Sequence, residues 1–125
     1  MEQRKYTPEE EERMIDDAFQ DVLNGYLNSN HRKKVEIIER AYRFAKEAHK
    51  GVKRRSGEPY ILHPIAVAKI ASQEIGLGST SICAALLHDV VEDTDYTVED
   101  IEQHFGKKIA QIVAGLTKIS GGIFG

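Results

Sequence analysis

Hydrophobic residues recur at three- and four-residue spacing along most of the chain, the pattern of amphipathic helices. A first stripe runs from Met14 to Tyr26, and it follows Pro8 and a run of glutamates, which together favour a helix start. A second stripe runs from Val35 to Ala48. No stretch shows the alternation of polar and apolar residues that is typical of a strand. The pattern therefore predicts an all-α fold.

The second half of the chain continues this helical pattern after a loop. Residues 54–63 are predicted to form the loop because they contain a glycine and a proline. Pro64 suits the first turn of a third helix, and a fourth helix runs through the apolar segment Ile82–Leu87. Thr97 and Asp100 have the spacing of a capping box and predict a short fifth helix. A last helix is expected after the glycine at position 106.

Composition limits the class of protein. The chain has 125 residues, of which 41% are hydrophobic and 30% charged, as expected of one globular domain. No apolar run approaches the roughly 20 residues that cross a bilayer. The charged N-terminal segment lacks a secretory signal, so we expect a cytoplasmic protein. The single cysteine, Cys83, lies in an apolar stretch and is predicted to be a buried structural thiol.

The charge distribution indicates a small ligand. A net charge of −3 argues against binding to nucleic acid, which usually needs a strongly basic surface. Lys50, Lys53, Arg54 and Arg55 nevertheless place four cations within six residues. Such a cluster suits a small anionic ligand. The alternative is a solvated helix end, where cations are favourable without any ligand.

His88 and Asp89 stand where the fourth helix passes into a polar segment. An adjacent imidazole and carboxylate on a buried helix are costly unless something satisfies both, and a divalent metal would do so. His63 lies 25 positions earlier, at the start of the preceding helix. Antiparallel packing of the two helices would bring His63 next to the pair. The three residues are therefore candidate metal ligands, although a His-Asp dipeptide also occurs by chance.

Two acids and three further histidines complete the candidate chemistry. Glu92 and Asp93 follow one helical turn after His88 and Asp89, and either carboxylate could hold or deprotonate a water molecule in the same pocket. The alternative is a polar helix end. We interpret His49 as a packed or loop-bracing residue rather than a ligand, and His31 and His104 as solvent-facing.

Three blocks, SGEPYILHP (56–64), AALLHDVVEDTDYT (84–97) and FGKKIAQIVAGLTKI (105–119), resemble the hydrolase domain of the RelA/SpoT family. Those bacterial enzymes make and destroy (p)ppGpp, the alarmone of the stringent response. They belong to the HD superfamily of metal-dependent phosphohydrolases. The resemblance implies an all-α HD-domain helical bundle that is incomplete at its C-terminal side. Residues 1–30 would form a helical extension packing on the domain, and 31–125 the N-terminal part of the hydrolase domain.

The resemblance also implies roles for single residues. His63, His88 and Asp89 would bind the metal, typically Mn²⁺ in that family, and Glu92 and Asp93 would position the attacking water. The nucleotide would be bound by four consecutive residues: Arg54 packing on the guanine base, Arg55 and Ser56 lining the same pocket, and Lys53 favouring the phosphates. A guanidinium suits this task because it stacks on an aromatic face while its charge attracts phosphate.

Two features depart from the family pattern. Val52 occupies a position where the family usually has glutamine. The family's fourth metal ligand is an aspartate in a later block resembling LADRLHNMRT, and no such block follows Ile119. We therefore expect this chain to be the front of a longer, bifunctional synthetase/hydrolase, to bind metal weakly and to turn over substrate slowly or not at all by itself. Missing helices would expose an apolar stripe on the last helix and favour self-association; the stripe consists of Ile109, Ile112, Val113 and Leu116.

The leading hypothesis is a fragment of a Mn²⁺-dependent (p)ppGpp 3′-pyrophosphohydrolase. One alternative is a generic HD-type nucleotide phosphohydrolase, although such a site does not require the RRSGEPY loop. Another is a non-catalytic regulatory or interaction module on an HD scaffold. The absent fourth ligand favours this second alternative, while the intact Glu92 and Asp93 weigh against it.

Overall fold

The chain folds into six α-helices and one π-helical segment. The structure, a computed structural model, describes residues 6–28, 34–53, 57–75 and 78–124, without the side chains of 74, 75 and 117–124. The helices are α1 (Pro8–Leu27), α2 (Val35–Ala48), α3 (Leu62–Lys69), the π-helical segment Ile70–Ile75, α4 (Ser79–Asp93), α5 (Val98–Phe105) and α6 (Lys107–Phe124). These ranges contain no strand, only an isolated antiparallel bridge between Lys53 and Pro59. The predicted all-α fold is confirmed.

Helix α1 is fixed at its start and along one face. Thr7 and Glu10 form a capping box that satisfies two backbone N–H groups at the helix N-terminus. The ring of Phe19 stacks on the ring of Tyr42 in α2, with centroids 3.8 Å apart. The Tyr42 hydroxyl also donates a 3.0 Å hydrogen bond to Asp16. These contacts join α1 to α2.

Helix α4 is the centre of the bundle. It packs against α2, α3 and α6, and six consecutive residues, Ile82–Leu87, are buried. A helix that is apolar on all sides needs such a position, because no face of it gains from contact with water. Cys83 is buried within this run, as predicted, and burial raises the pKa of its thiol to about 12. Among the described residues no helix is long and apolar enough to cross a membrane.

The apolar stripe of helix α6 is more buried than the sequence predicts. It packs on α4 and α5, which buries Ile109 and Val113 and partly buries Ile112. Only Leu116 of the predicted stripe is well exposed, at 40% of its surface. The prediction of an exposed stripe was therefore wrong, because the preceding helices already cover this face. The predicted self-association is not tested by this structure. The stripe on α6 gives no argument for it, because most of the stripe is buried.

Helix α3 differs from expectation at both ends. It begins at Leu62, so His63 is its second residue rather than the last residue of the loop. At its other end it continues as the π-helical segment, where Gln73 Nε2 donates a 2.7 Å hydrogen bond to the carbonyl of Asp21 in α1. The segment lies so close to α1 that a Cβ on Gly25 would stand 2.4 Å from Cγ of Gln73. The glycine permits this close approach.

Candidate metal centre

The orientation of the His88 ring is set by the helix that carries it. Its Nδ1 lies 2.8 Å from the carbonyl oxygen of Ala85, one turn earlier in α4. Because a carbonyl oxygen only accepts, Nδ1 carries a proton and donates it. The other ring nitrogen, Nε2, is directed to Asp89, 3.1 Å from its Oδ1. A histidine held in this way by a backbone carbonyl is a common arrangement for a metal ligand.

His63 reaches the same carboxylate from the neighbouring helix. Its Nε2 lies 3.6 Å from Oδ2 of Asp89. The start of α3 and the end of α4 therefore meet at one end of the bundle, as the antiparallel arrangement predicts. The structure thus brings together the three residues that the sequence singles out as candidate ligands.

The two contacts of Asp89 have lengths close to those between ligands of one divalent cation, although the ligand atoms that all lie within 4.8 Å of one another belong to His88, Asp89 and Glu92 and not to His63. Two ligand atoms that each lie about 2.1 Å from one transition-metal ion stand about 3.0 to 3.4 Å apart. The separations of 3.1 and 3.6 Å around Asp89 are close to that range. Oδ2 of Asp89 is buried and has no hydrogen-bond partner. A buried carboxylate oxygen without a donor is costly, and a cation would satisfy it.

The protonation of the site agrees with this reading. The hydrogen bond with Asp89 raises the pKa of His88 above its ordinary value, against the opposing effect of burial. Burial by itself would raise the pKa of Asp89, but the hydrogen bond with His88 and the nearby imidazoles of His63 and His49 outweigh it, so the pKa is lowered. Asp89 is therefore an ionised acceptor at neutral pH, which is the form that binds a cation.

Glu92 and Asp93 lie at the rim of the site. A carboxylate oxygen of Glu92 is within 4.8 Å of ligand atoms of both His88 and Asp89, so these three could also hold a cation. Oδ2 of Asp93 accepts a 2.8 Å hydrogen bond from the hydroxyl of Tyr60. Both acids are exposed at the end of α4, where a substrate could reach them.

His49 is a site residue that sequence reasoning missed. It is packed, as predicted, with only 3% of its surface exposed. Its ring lies 5.0 Å from the ring of Tyr60, which in turn lies 6.0 Å from the ring of His63. Burial lowers the pKa of His49, although the charges of Asp89 and Asp93 oppose this. A histidine at the end of an apolar stripe looks the same in sequence whether or not it borders a site.

The predicted nucleotide-binding residues are only partly visible. Arg54, Arg55 and Ser56 lie outside the described residues, as does His31. The ammonium group of Lys53 pairs with Glu11 of α1. Lys53 also lines a cavity of about 310 Å³ between α1 and the loop before α3, and His49 lines it too. His104 is exposed, as predicted.

Comparison with known proteins agrees with this arrangement. A family model described as an HD domain matches residues 41–121. The guanosine-3′,5′-bis(diphosphate) 3′-pyrophosphohydrolase of Aquifex aeolicus is 52% identical over 94 residues, 74% of this chain and 13% of the relative. The enzyme of the same name from Vibrio cholerae is 45% identical over 103 residues, 82% of this chain and 14% of the relative.

A third relative carries a broader name. The bifunctional (p)ppGpp synthase/hydrolase SpoT of Escherichia coli is 44% identical over 103 residues, 82% of this chain and 14% of the relative. The chain thus spans only 13–14% of the length of these three relatives. The residues that the family model matches include α4 and its flanking helices, the part of the chain that holds the candidate metal centre.

Proposed function

The chain belongs to the HD domain family, in the RelA/SpoT group, and from that membership we propose that its metal centre takes part in hydrolysis of the 3′-diphosphate of (p)ppGpp. The observation that carries the proposal is the meeting of His63, His88 and Asp89 around one buried carboxylate, with separations of 3.1 and 3.6 Å. The names of the relatives support (p)ppGpp as the substrate.

The proposed reaction is a displacement at phosphorus. Water attacks the phosphorus next to the 3′ oxygen, the bond between them breaks, and the 3′ oxygen takes up a proton. One molecule of ppGpp and one of water thus give GDP and pyrophosphate. A bound divalent ion supplies polarisation of the phosphoryl oxygen and makes water more acidic. His63, His88 and Asp89 would hold this ion.

Glu92 and Asp93 would act on the attacking water. Both carboxylates lie one turn beyond His88 and Asp89 and are open to solvent, so either can accept a proton from a water molecule in the centre. The hydrogen bond from Tyr60 holds Asp93 in one orientation, while Glu92 is the acid nearer to His88 and Asp89. We assign water positioning to both acids.

Four consecutive residues, 53–56, would bind the nucleotide. Arg54 would pack on the guanine base, with Arg55 and Ser56 beside it and Lys53 favouring the phosphates. Lys53 is exposed and pairs with the half-buried Glu11, so a phosphate that binds Lys53 would compete with this glutamate.

Mn²⁺ is the proposed ion. Imidazole nitrogens combined with a carboxylate oxygen suit a transition metal better than Ca²⁺. We also propose a cytoplasmic location, where nucleotide substrates are available.

A product analysis tests the proposal. The chain, in excess over ppGpp, is incubated with Mn²⁺, and the products are separated by ion-exchange chromatography. We expect slow, Mn²⁺-dependent release of pyrophosphate and GDP, and weaker guanine discrimination in Arg54→Ala than in the neighbouring control Lys50→Ala. Release of orthophosphate, or equal rates with adenine and guanine nucleotides, would indicate a generic phosphohydrolase. If Mn²⁺ promotes neither turnover nor binding of ppGpp, the non-catalytic alternative is favoured.

A further inference from the structure

Two buried polar atoms lack a hydrogen-bond partner in the part of the chain that the structure describes. They are Nε2 of His49 and Oδ2 of Asp89. A folded protein normally pairs such atoms, and an unpaired one reduces stability. If the two unpaired atoms had separate causes, we would expect them in unrelated parts of the structure. These two atoms instead belong to residues at the same end of the bundle.

The surroundings of His49 place it beside the metal centre. Its ring packs on Tyr60, whose hydroxyl is bonded to Asp93, and Tyr60 also contacts the ring of His63. Tyr60 thus joins His49 to one proposed acid and one proposed ligand, while Nε2 of His49 makes no hydrogen bond.

His49 is not one of the ligands themselves. The group of ligand atoms that all lie within 4.8 Å of one another consists of His88, Asp89 and Glu92, and it includes neither His49 nor His63. His63 still contacts the centre directly, with its Nε2 3.6 Å from Oδ2 of Asp89, whereas His49 forms no ion pair with a carboxylate among the described residues. His49 therefore suits a hydrogen bond to a molecule bound to the ion rather than a bond to the ion.

We propose that His49 is a positioning residue of the metal centre, whose Nε2 hydrogen-bonds to a water molecule that a divalent ion holds beside Asp89. This inference rests on the proposed function, since it requires the ion. One hydrated ion would satisfy both unpaired atoms, the carboxylate oxygen through the cation and the imidazole through the water.

The proposal predicts opposite effects on stability and on ion binding. Replacing His49 by leucine removes a buried unpaired polar atom, so the metal-free chain keeps its melting temperature or gains. The same change removes a partner of the hydrated ion, so Mn²⁺ affinity falls by about 10-fold or more. A residue with a merely structural role would lower the melting temperature and leave the affinity unchanged.

The test compares four versions of the 125-residue chain: unmodified, His49→Leu, His49→Gln and His104→Leu. Mn²⁺ binding is measured by electron paramagnetic resonance of the free ion, and melting temperatures by circular dichroism with and without Mn²⁺. His49→Gln keeps a polar atom near the position of Nε2, so it should retain most of the affinity. His104→Leu is the matched control, because His104 is exposed and outside the centre, and it should bind Mn²⁺ like the unmodified chain.

Each outcome decides a different claim. Unchanged Mn²⁺ affinity in His49→Leu, with normal binding by the unmodified chain, overturns the role of His49 and leaves the metal centre in place. A lower melting temperature of metal-free His49→Leu without a specific loss of affinity assigns His49 to packing and also overturns the proposal. If the unmodified chain binds no Mn²⁺, the metal centre and the role of His49 fall together.

Discussion

The hydroxyl of Tyr60 donates a 2.8 Å hydrogen bond to Oδ2 of Asp93, which ties the loop before α3 to the last residue of α4. Tyr60 follows the segment that is proposed to bind the nucleotide, and Asp93 is one of the acids proposed to position water. The bond therefore connects the binding segment to the reacting groups.

We predict that Tyr60→Phe slows hydrolysis and leaves Mn²⁺ affinity nearly unchanged. The phenyl ring keeps the packing on His49, but Asp93 loses the donor that orients it. A loss of about 10-fold in the single-turnover rate is expected, the lower end of the effect of removing such supporting hydrogen bonds. The measurement is the rate of pyrophosphate release from ppGpp at saturating Mn²⁺.

Tyr96→Phe is the matched control for this experiment, since Tyr96 is exposed and packs on Phe44 away from the acids. Equal rates in Tyr60→Phe and the control would contradict an orienting role for Tyr60. A parallel loss of Mn²⁺ affinity in Tyr60→Phe would indicate a wider disturbance of the centre.

Mn²⁺ affinity should rise with pH across neutrality. The hydrogen bond with Asp89 raises the pKa of metal-free His88, so below that pKa an ion must displace a proton from the ring. Above it the imidazole is free, and the affinity becomes independent of pH. Asp89 does not contribute to the pH dependence of the Mn²⁺ affinity near neutrality, because its lowered pKa keeps it ionised.

Calorimetry in buffers of different ionisation enthalpy measures the protons released on binding. We expect release approaching one proton per Mn²⁺ near pH 6 and less at pH 9, with an affinity gain of up to about tenfold per pH unit below the raised pKa of His88. An affinity that is the same at both values, with no proton release, would show that His88 is not a ligand.

Gly25 and Gly115 give a paired prediction about packing. A Cβ at Gly25 would lie 2.4 Å from Cγ of Gln73, whereas a Cβ at Gly115 meets nothing within 4 Å. Gly25→Ala should lower the free energy of unfolding by about 1–3 kcal/mol through overpacking. Gly115→Ala should raise it by about 0.5–1 kcal/mol, because alanine loses less backbone freedom in a helix.

Urea denaturation monitored by circular dichroism measures both changes. Combining Gly25→Ala with Gln73→Ala removes the clashing side chain, so this double variant should recover part of the lost stability beyond the sum of the single changes. A gain in Gly25→Ala equal to that in Gly115→Ala would contradict the close approach of the π-helical segment to α1.

The sequence predicts the helices well where periodicity and caps coincide. The stripe from Met14 to Tyr26 lies within α1, and the capping box of Thr97 and Asp100 starts α5 as expected. The π-helical segment Ile70–Ile75 could not be predicted, because a single widened turn leaves no distinct hydrophobic period. The contact of its Gln73 with α1 is likewise visible only in the packed structure.

Some residues of the candidate site could likewise be predicted from the sequence, and others could not. His63, His88 and Asp89 could be brought together from helix length and direction, because two antiparallel helices place the start of one beside the end of the other. The links to His49 and Tyr60 could not, since they depend on how the loop before α3 folds over the end of α2. The burial of Ile109 and Val113 likewise depends on how α6 packs on α4 and α5.

The central claim is that His63, His88 and Asp89 bind one divalent ion. Its most direct test is an anomalous-difference map from a crystal of the chain soaked in Mn²⁺, recorded near the manganese absorption edge. We predict one strong peak at about 2.0–2.2 Å from Nε2 of His63, Nε2 of His88 and a carboxylate oxygen of Asp89. A map with no peak there, or with an ion bound by Glu92 and lacking His63, would contradict the assignment.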